Sequence, residues 1–232
     1  MQRYFAKDKL ILRDSDIHHI RNVMRMKVND EIEVVTDNKL YICRIVSLEP
    51  FKIDTVREEE GHEINYHLIV GVPLVNEQKM DLILQKLTEL GVKEIIPLKM
   101  ERCVAILNED RFQKKRIRWE GICKEASEQS KRIDVPIIRN MMSLKDLVEE
   151  KADMKLVAST NKNEMLDNYL QEMDKYDKII VVVGPEGGIS EKEEMFLYEN
   201  GYLGVSFGNL IFRVETACIY VASIFNYFGS KR

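Results

Sequence analysis

Apolar and polar residues alternate along Glu31–Val35, Tyr41–Val46 and Phe51–Val56, the period of strands with one buried face. Thr36-Asp37-Asn38-Lys39, between the first two, is rich in turn residues and predicts a hairpin. Upstream, Ile17, Ile20 and Met24 share one helical face over Ser15–Met24, with Ser15 or Asp16 as the cap. Residues 1–70 therefore read as a small β-barrel with one helix, and the Glu-rich stretch Arg57–Glu63 as a linker.

Beyond Tyr66 the period switches back and forth. Strand candidates are His67–Val72, Glu94–Leu98, Val135–Ile138, Lys155–Ala158, Lys178–Val183 and Gly204–Phe207. Between and after them lie helical patterns at Asn76–Leu90, Glu109–Ser130, Leu144–Glu150, Asn163–Met173, Ser190–Asn200 and Val214–Phe228. Met80, Ile83, Leu84, Leu87 and Leu90 form one apolar stripe, and Gly91 stands at the C-cap position. Ser190 with Glu193 fits a capping box. This alternation predicts a second domain, residues 71–232, of the α/β class with a parallel sheet and helices on both faces. Ligands in such sheets sit beyond the carboxyl ends of the strands. Three ends carry small or polar residues, and they are expected to converge: Ala158-Ser159-Thr160, Gly184-Pro185-Glu186-Gly187-Gly188 and Gly208-Asn209.

Composition narrows the picture. A chain that is 45% hydrophobic and 32% charged is globular, not disordered. No apolar run approaches the roughly 18 residues of a membrane span, and the N-terminal stretch shows no secretory pattern, so a cytoplasmic protein is expected. Cys43, Cys103, Cys123 and Cys218 lack paired spacing, and the four histidines complete no metal pattern, so free thiols and no metal are expected. Net charge is −4, yet residues 1–28 and 99–140 each carry +4 while 143–204 carry −7. Basic regions on an acidic chain are compatible with one face that binds a phosphate backbone, or with ordinary surface charge.

The chemistry concentrates in two segments, KIIVVVGPEGG at 178–188 and FGNLIFRVETA at 207–217. In the first, Gly184 permits close backbone approach, Pro185 fixes a turn, and Gly187 and Gly188 can adopt positive φ. No Lys-Ser/Thr follows, so this is no P-loop. Glu186 suits a cationic ligand better than a phosphate, although a plain strand-to-helix turn would look the same.

These segments, in this order, resemble the RsmE family of SPOUT-class ribosomal RNA methyltransferases. Three further stretches are similar to the family: Gln78-Lys79-Met80-Asp81 through Gln85 to Val92, Glu125 to Ser130 with Arg132 and Pro136, and His18 to Lys27 leading to Asp30-Glu31-Ile32. The chain departs from the usual pattern at Leu210, where the family has Arg, at Phe207 and Phe212, where it has Leu, at Asn29 and Lys131, where it has Gly, and at Ile189, where an aromatic is usual. The resemblance implies a PUA-like N-terminal barrel and a trefoil-knotted α/β domain. It also implies a homodimer, S-adenosyl-L-methionine as donor, and transfer of a methyl group to N3 of a uridine in small-subunit (16S) ribosomal RNA.

On that reading the cofactor would lie against Ala158, Ser159, Thr160, residues 184–188 (Gly184, Pro185, Glu186, Gly187, Gly188), residues 207–212 (Phe207, Gly208, Asn209, Leu210, Ile211, Phe212), Thr216 and Ala217. Arg213 is the candidate for stabilising the developing uracil anion or gripping a phosphate, with Glu186 and Glu215 as loop organisers or a base. The candidate RNA contacts are Arg3, Arg13, Arg21, Arg25, Lys27, Lys86, Arg102 and Arg132. A related SPOUT enzyme acting on a ribose 2′-hydroxyl or another RNA, and a non-catalytic ribosome-assembly module, stay open as alternatives.

Overall fold

The computed structural model describes residues 1–6, 10–61, 66–160, 164–170 and 175–229. They form two compact units, Met1–Glu63 with Lys124–Val135, and Ile64–Cys123 with Pro136–Arg232. Sequence pattern places a boundary near 70 but gives no sign that 124–135 belongs with the N-terminal segment.

In the first unit, β1 (Arg3–Phe5), β2 (Glu31–Thr36), β3 (Lys39–Leu48) and β4 (Phe51–Glu59) make one sheet in that order. β1 runs parallel to β2, and the other pairs are antiparallel. The β2–β3 hairpin turns at Asp37 and Asn38, at φ 50° and 58°, both central residues in the left-handed region that a type I′ turn requires. Alternation buries Ile32, Val34, Cys43 and Ile45 in one cluster with Tyr4, Leu12 and Ile20. Val35 and Leu40 pack with Ile133 in another.

Two expectations are corrected here. The strand predicted to stop at Val56 runs on through Glu59, with Arg57 and Glu58 opposite Ile42 and Tyr41, so much of the expected linker is strand. Its exposed side chains gave no alternation, and only backbone pairing carries it. The helix predicted over Ser15–Met24 is α1 (Asp14–His18) followed by a π-helical turn, His19–Val23. Arg13 holds its N-cap, and Asp16 reaches back to the Arg13 amide at 3.4 Å.

The second unit is a sheet of parallel pairs ordered β11-β9-β10-β5-β6-β7, with β8 also on β6. Its strands are β5 (His67–Pro73), β6 (Glu94–Lys99), β7 (Ile137–Ile138), β8 (Met142–Ser143), β9 (Met154–Ala158), β10 (Lys178–Val182) and β11 (Leu203–Val205). The helices are α2 (Glu77–Glu89), α3 (Glu109–Gln129, whose residues from Lys124 on belong to the first unit), α4 (Leu144–Val148), α5 (Asp167–Leu170), α6 (Glu191–Glu199) and α7 (Val214–Gly229). β7 starts two residues later than expected, because Pro136 has no amide to donate and Ile137 N–H makes the first bond, to Lys93 O. Of the helix expected over Asn163–Met173, Asp167–Leu170 is helical, and Met165 instead bridges Ser206. Residues 163 and 171–173 lie outside the described residues.

α2 ends as its sequence predicts. Gly91 has φ +86°, and Val92 N–H donates to Leu87 O at 3.0 Å, the reverse turn that favours glycine. One core cluster joins Ile69, Ile96, Leu98, Val157, Ile180 and Val182 of the sheet to Leu144, Leu147 and Leu197 of the helices. Gly121 sits inside α3 with nothing within 4 Å of an added Cβ. Gly121→Ala is therefore expected to stabilise the protein by about 0.5–1 kcal/mol, measured by denaturant unfolding.

At the opposite end of the sheet from the strand-end loops, buried Glu94 accepts from His67 at 2.6 Å and from Arg139 at 2.5 Å, and Arg139 continues to Glu150 at 2.7 Å. Burial alone would raise the Glu94 carboxyl, but the hydrogen bonds from Arg139 and His67 outweigh it and hold it below the usual range. A depressed carboxyl contributes stability above its unfolded-state value and loses it as pH falls through the folded value. Arg139→Leu is expected to cost about 1–3 kcal/mol at neutral pH and to flatten the acid limb of the stability–pH curve. Among the described residues no helix is long and apolar enough to cross a membrane. Cys43, Cys123 and Cys218 are buried, Cys103 is half-buried, and none of the four is in a disulfide.

Candidate active site

The strand order places the carboxyl ends of β9, β10 and β11 side by side, and the chain that leaves them encloses a cavity of about 850 Å³. Ala158–Thr160, residues 183–189 and residues 205–214 line it, with Arg102, Glu194 and Ala217. The three ends expected to converge do so.

The glycine loop has its shape for identifiable reasons. Gly188 N–H donates to Pro185 O at 2.8 Å, and Gly188 has φ +74°, so a tight turn presents its backbone to the cavity. A Cβ on Gly187 would meet Arg102 Cβ at 3.0 Å. Arg102 in turn donates to Gly187 O at 3.0 Å. At the exit of the loop, Ser190 Oγ accepts from Glu193 N at 3.3 Å and Glu193 accepts from Ser190 N at 3.3 Å, completing the predicted capping box. Glu193 also accepts from Glu101 N at 2.8 Å. In the second loop Gly208 takes φ +111°. Phe207 and Phe212 both pack on Tyr220 of α7, with ring centroids 5.6 and 5.0 Å away, so the aromatics at both departures from the family pattern pin this loop to the helix. Leu210 and Ile211 project from it, 77% and 85% exposed.

Lys79, in the first turn of α2, ties the glycine loop to the first turn of α7. Its ammonium lies 3.0 Å from Glu186 Oε1 and 3.5 Å from Glu215 Oε2. The second contact is long, and the buried Glu215 oxygen has no other hydrogen bond. Burial would raise the Glu186 carboxyl, but the Lys79 hydrogen bond and charge outweigh it and hold it low, so Glu186 is ionised at neutral pH and a weak base. Sequence reading quoted Lys79 but did not single it out. Its position in the first turn after the Asn76 cap, at the end of β5, was the available signal. Arg213 is exposed on the cavity wall and among the described residues enters no ion pair.

Not every expected residue joins the site. Glu215 turns toward Lys79 rather than the cavity, and Thr216 lines a separate groove on the outer face of α7. Of the cations assigned to RNA, Arg3 and Arg132 are buried, so those two expectations are corrected. Arg3 bonds Glu33 at 2.7 Å and the carbonyls of Lys131 and Arg132, while Arg132 bonds Asp134 at 3.0 Å. Arg21 is spent on the Leu48 carbonyl and Lys86 on Glu89 at 2.8 Å. Arg13, Arg25 and Lys27 remain exposed in the first unit, and Arg102 belongs to the cavity.

Comparison with known proteins follows this geometry. Residues 62–226 match the RNA methyltransferase domain family, and residues 12–54 match the RNA methyltransferase PUA domain family. A ribosomal RNA small subunit methyltransferase E from Bacillus subtilis is 31% identical over 98% of this chain and 96% of its own length. The chain belongs to the ribosomal RNA small subunit methyltransferase E family. The family protein from Aquifex aeolicus is also 31% identical, over 93% of each chain. The crystal structure of the Neisseria gonorrhoeae family enzyme bound to S-adenosyl methionine has a TM-score of 0.89 at 28% identity, covering 98% of this chain and 97% of that one. A methyltransferase from Legionella pneumophila, in complex with the same cofactor, also has a TM-score of 0.89, at 25% identity, with coverage of 98% and 97%.

Proposed function

We infer that this chain is an S-adenosyl-L-methionine-dependent methyltransferase of small-subunit ribosomal RNA, acting on N3 of a uridine. The observation that carries the reading is the convergence of three strand ends on one cavity in a chain of this family. Its volume lies within the range of cofactor sites. A side chain at Gly187 would sit tight against Arg102, Gly188 and Gly208 turn backbone toward the cavity, and the wall carries a carboxylate. This lining fits an uncrowded, cationic donor. Residues 184–188 and 207–212, with Ala158–Thr160, would hold it, and Ala217 would close the wall.

When bound, the donor supplies an electrophilic methyl group. The chain's own residues do the rest. Uridine N3–H is a weak acid, and losing its proton puts negative charge on the uracil carbonyl oxygens. Arg213, exposed and in no ion pair among the described residues, stabilises that charge. Glu186 and Glu215 shape the loops through Lys79, the N3 proton passes to solvent water, and S-adenosylhomocysteine departs once the methyl group is on N3. Lys79→Met is expected to loosen both loops and weaken donor binding about fivefold, by calorimetry.

The first unit closes as a PUA-like barrel and contacts RNA through Arg13, Arg25 and Lys27. The second unit carries the trefoil knot, a reading supported by α7, which returns from the β11 edge to pack on α2 and β5. The apolar groove of about 410 Å³ on α7, with Ile219, Tyr220, Ile224, Tyr227 and Phe228, supports a homodimer through this helix. The enzyme is cytoplasmic, where its substrate resides.

The deciding experiment is methyl transfer from labelled donor onto small ribosomal subunits that lack the modification, with the product nucleoside identified by mass spectrometry. 3-Methyluridine is expected. A 2′-O-methylated nucleoside would move the enzyme to another SPOUT activity, and donor binding without transfer would mark a non-catalytic module.

A further inference from the structure

α6 opens with Glu191, Glu193 and Glu194, which have different fates. Glu191 is exposed, and Glu193 is spent on the cap. Glu194 is only 8% exposed, follows Ser190 on the inner face ahead of Leu197, and forms part of the cavity wall. It accepts a hydrogen bond from the Tyr198 hydroxyl at 2.6 Å. Tyr198 is also hydrogen-bonded to Ser159, at the end of β9 on the same wall. Burial and the Glu194 carboxylate push the Tyr198 hydroxyl up to about 12, so it stays a donor throughout the neutral range.

A carboxylate at this depth is costly in a cavity wall. The helix N-terminus and the Tyr198 bond lower that cost, and a positive ligand facing the same wall lowers it too. An anionic ligand, such as a nucleoside triphosphate, meets repulsion instead. We infer that Glu194 is a recognition group for the positive charge of the methyl donor, its sulfonium or its ammonium, and that Tyr198 and Ser159 position it. The inference rests on the donor socket proposed above and adds the group that selects a cation there.

Calorimetry on the full-length wild-type and Glu194→Gln proteins tests it with three ligands. S-adenosyl-L-methionine carries sulfonium and ammonium, S-adenosylhomocysteine the ammonium only, and methylthioadenosine neither. Glu194→Gln is expected to weaken S-adenosyl-L-methionine about tenfold and leave methylthioadenosine within about twofold. An equal loss for S-adenosylhomocysteine assigns the contact to the ammonium, and an unchanged value assigns it to the sulfonium. Equal losses for all three ligands, or no loss for any, overturn the inference. Tyr198→Phe, which keeps the carboxylate but removes its donor, should give a smaller loss in the same ligand order, and it carries the test if Glu194→Gln does not fold. Wild-type protein that binds none of the three would overturn the donor socket itself, and this inference with it.

Discussion

Arg213→Ala is expected to slow methyl transfer by about 10²–10³-fold while donor affinity stays within about twofold, because in the proposed mechanism the guanidinium meets charge that develops only as the uracil proton leaves. Single-turnover transfer onto unmodified subunits, with donor affinity from calorimetry, separates the two quantities. The expectation follows from where the side chain sits. Arg213 stands on the cavity wall at the head of α7, and neither Glu186 nor Glu215 pairs with it, since Lys79 takes both. Arg213→Lys should recover only part of the rate, because an ammonium is a point charge without the planar fork that spans two acceptors. A fall in donor affinity that matches the fall in rate would instead make Arg213 a part of the loop scaffold.

The largest stability effect is expected from Lys124→Met. Lys124 lies buried between Asp16 at 2.7 Å and Glu128 at 2.6 Å, with the ion-pair atoms of all three almost fully removed from water. Deleting this cation takes away the partner that both buried carboxylates share, at a cost of about 3–5 kcal/mol. Burial already raises the Glu128 carboxyl, the Lys124 hydrogen bond and charge counter it, and Asp16 adds to it, so the net direction is upward. A raised carboxyl loses stability as pH climbs from its unfolded value through its folded one. The penalty of Lys124→Met should therefore shrink as pH falls, as that of Arg139→Leu does, although the wild-type contributions of Glu128 and Glu94 run in opposite directions with pH. Adding Asp16→Asn and Glu128→Gln should recover most of the loss, because the uncompensated charge is the cost. Denaturant midpoints across pH check all three statements, and an unchanged midpoint for Lys124→Met would contradict them.

What the sequence revealed and what it hid divide along a physical line. Features written in adjacent residues were legible: the Asp37-Asn38 turn, the Gly91 C-cap, the Ser190–Glu193 box and the glycine loop at the end of β10. Each is a local bonding pattern with a fixed residue requirement. Features that depend on distant partners were not. Lys79 meets carboxylates more than a hundred positions away. Arg3 and Arg132 look like surface cations in a basic stretch, yet their heads are buried against backbone carbonyls and Asp134. β4 outran its alternation because backbone pairing needs no apolar side chains. Glu194 left one readable sign, a charge on the inner stripe of α6 ahead of Leu197. The family-level departures also have local consequences: Asn29 and Lys131, where the family has glycine, sit at φ 76° and 62°, the left-handed region that glycine occupies without strain.

The most direct test is a crystal structure of the protein grown with saturating S-adenosyl-L-methionine. The account predicts the donor between residues 184–188 and 207–212, its positive end toward Glu194 and its methyl group on the side of the cavity that Arg213 lines. A donor bound anywhere else on the chain, or a cavity still vacant at saturation, would contradict it.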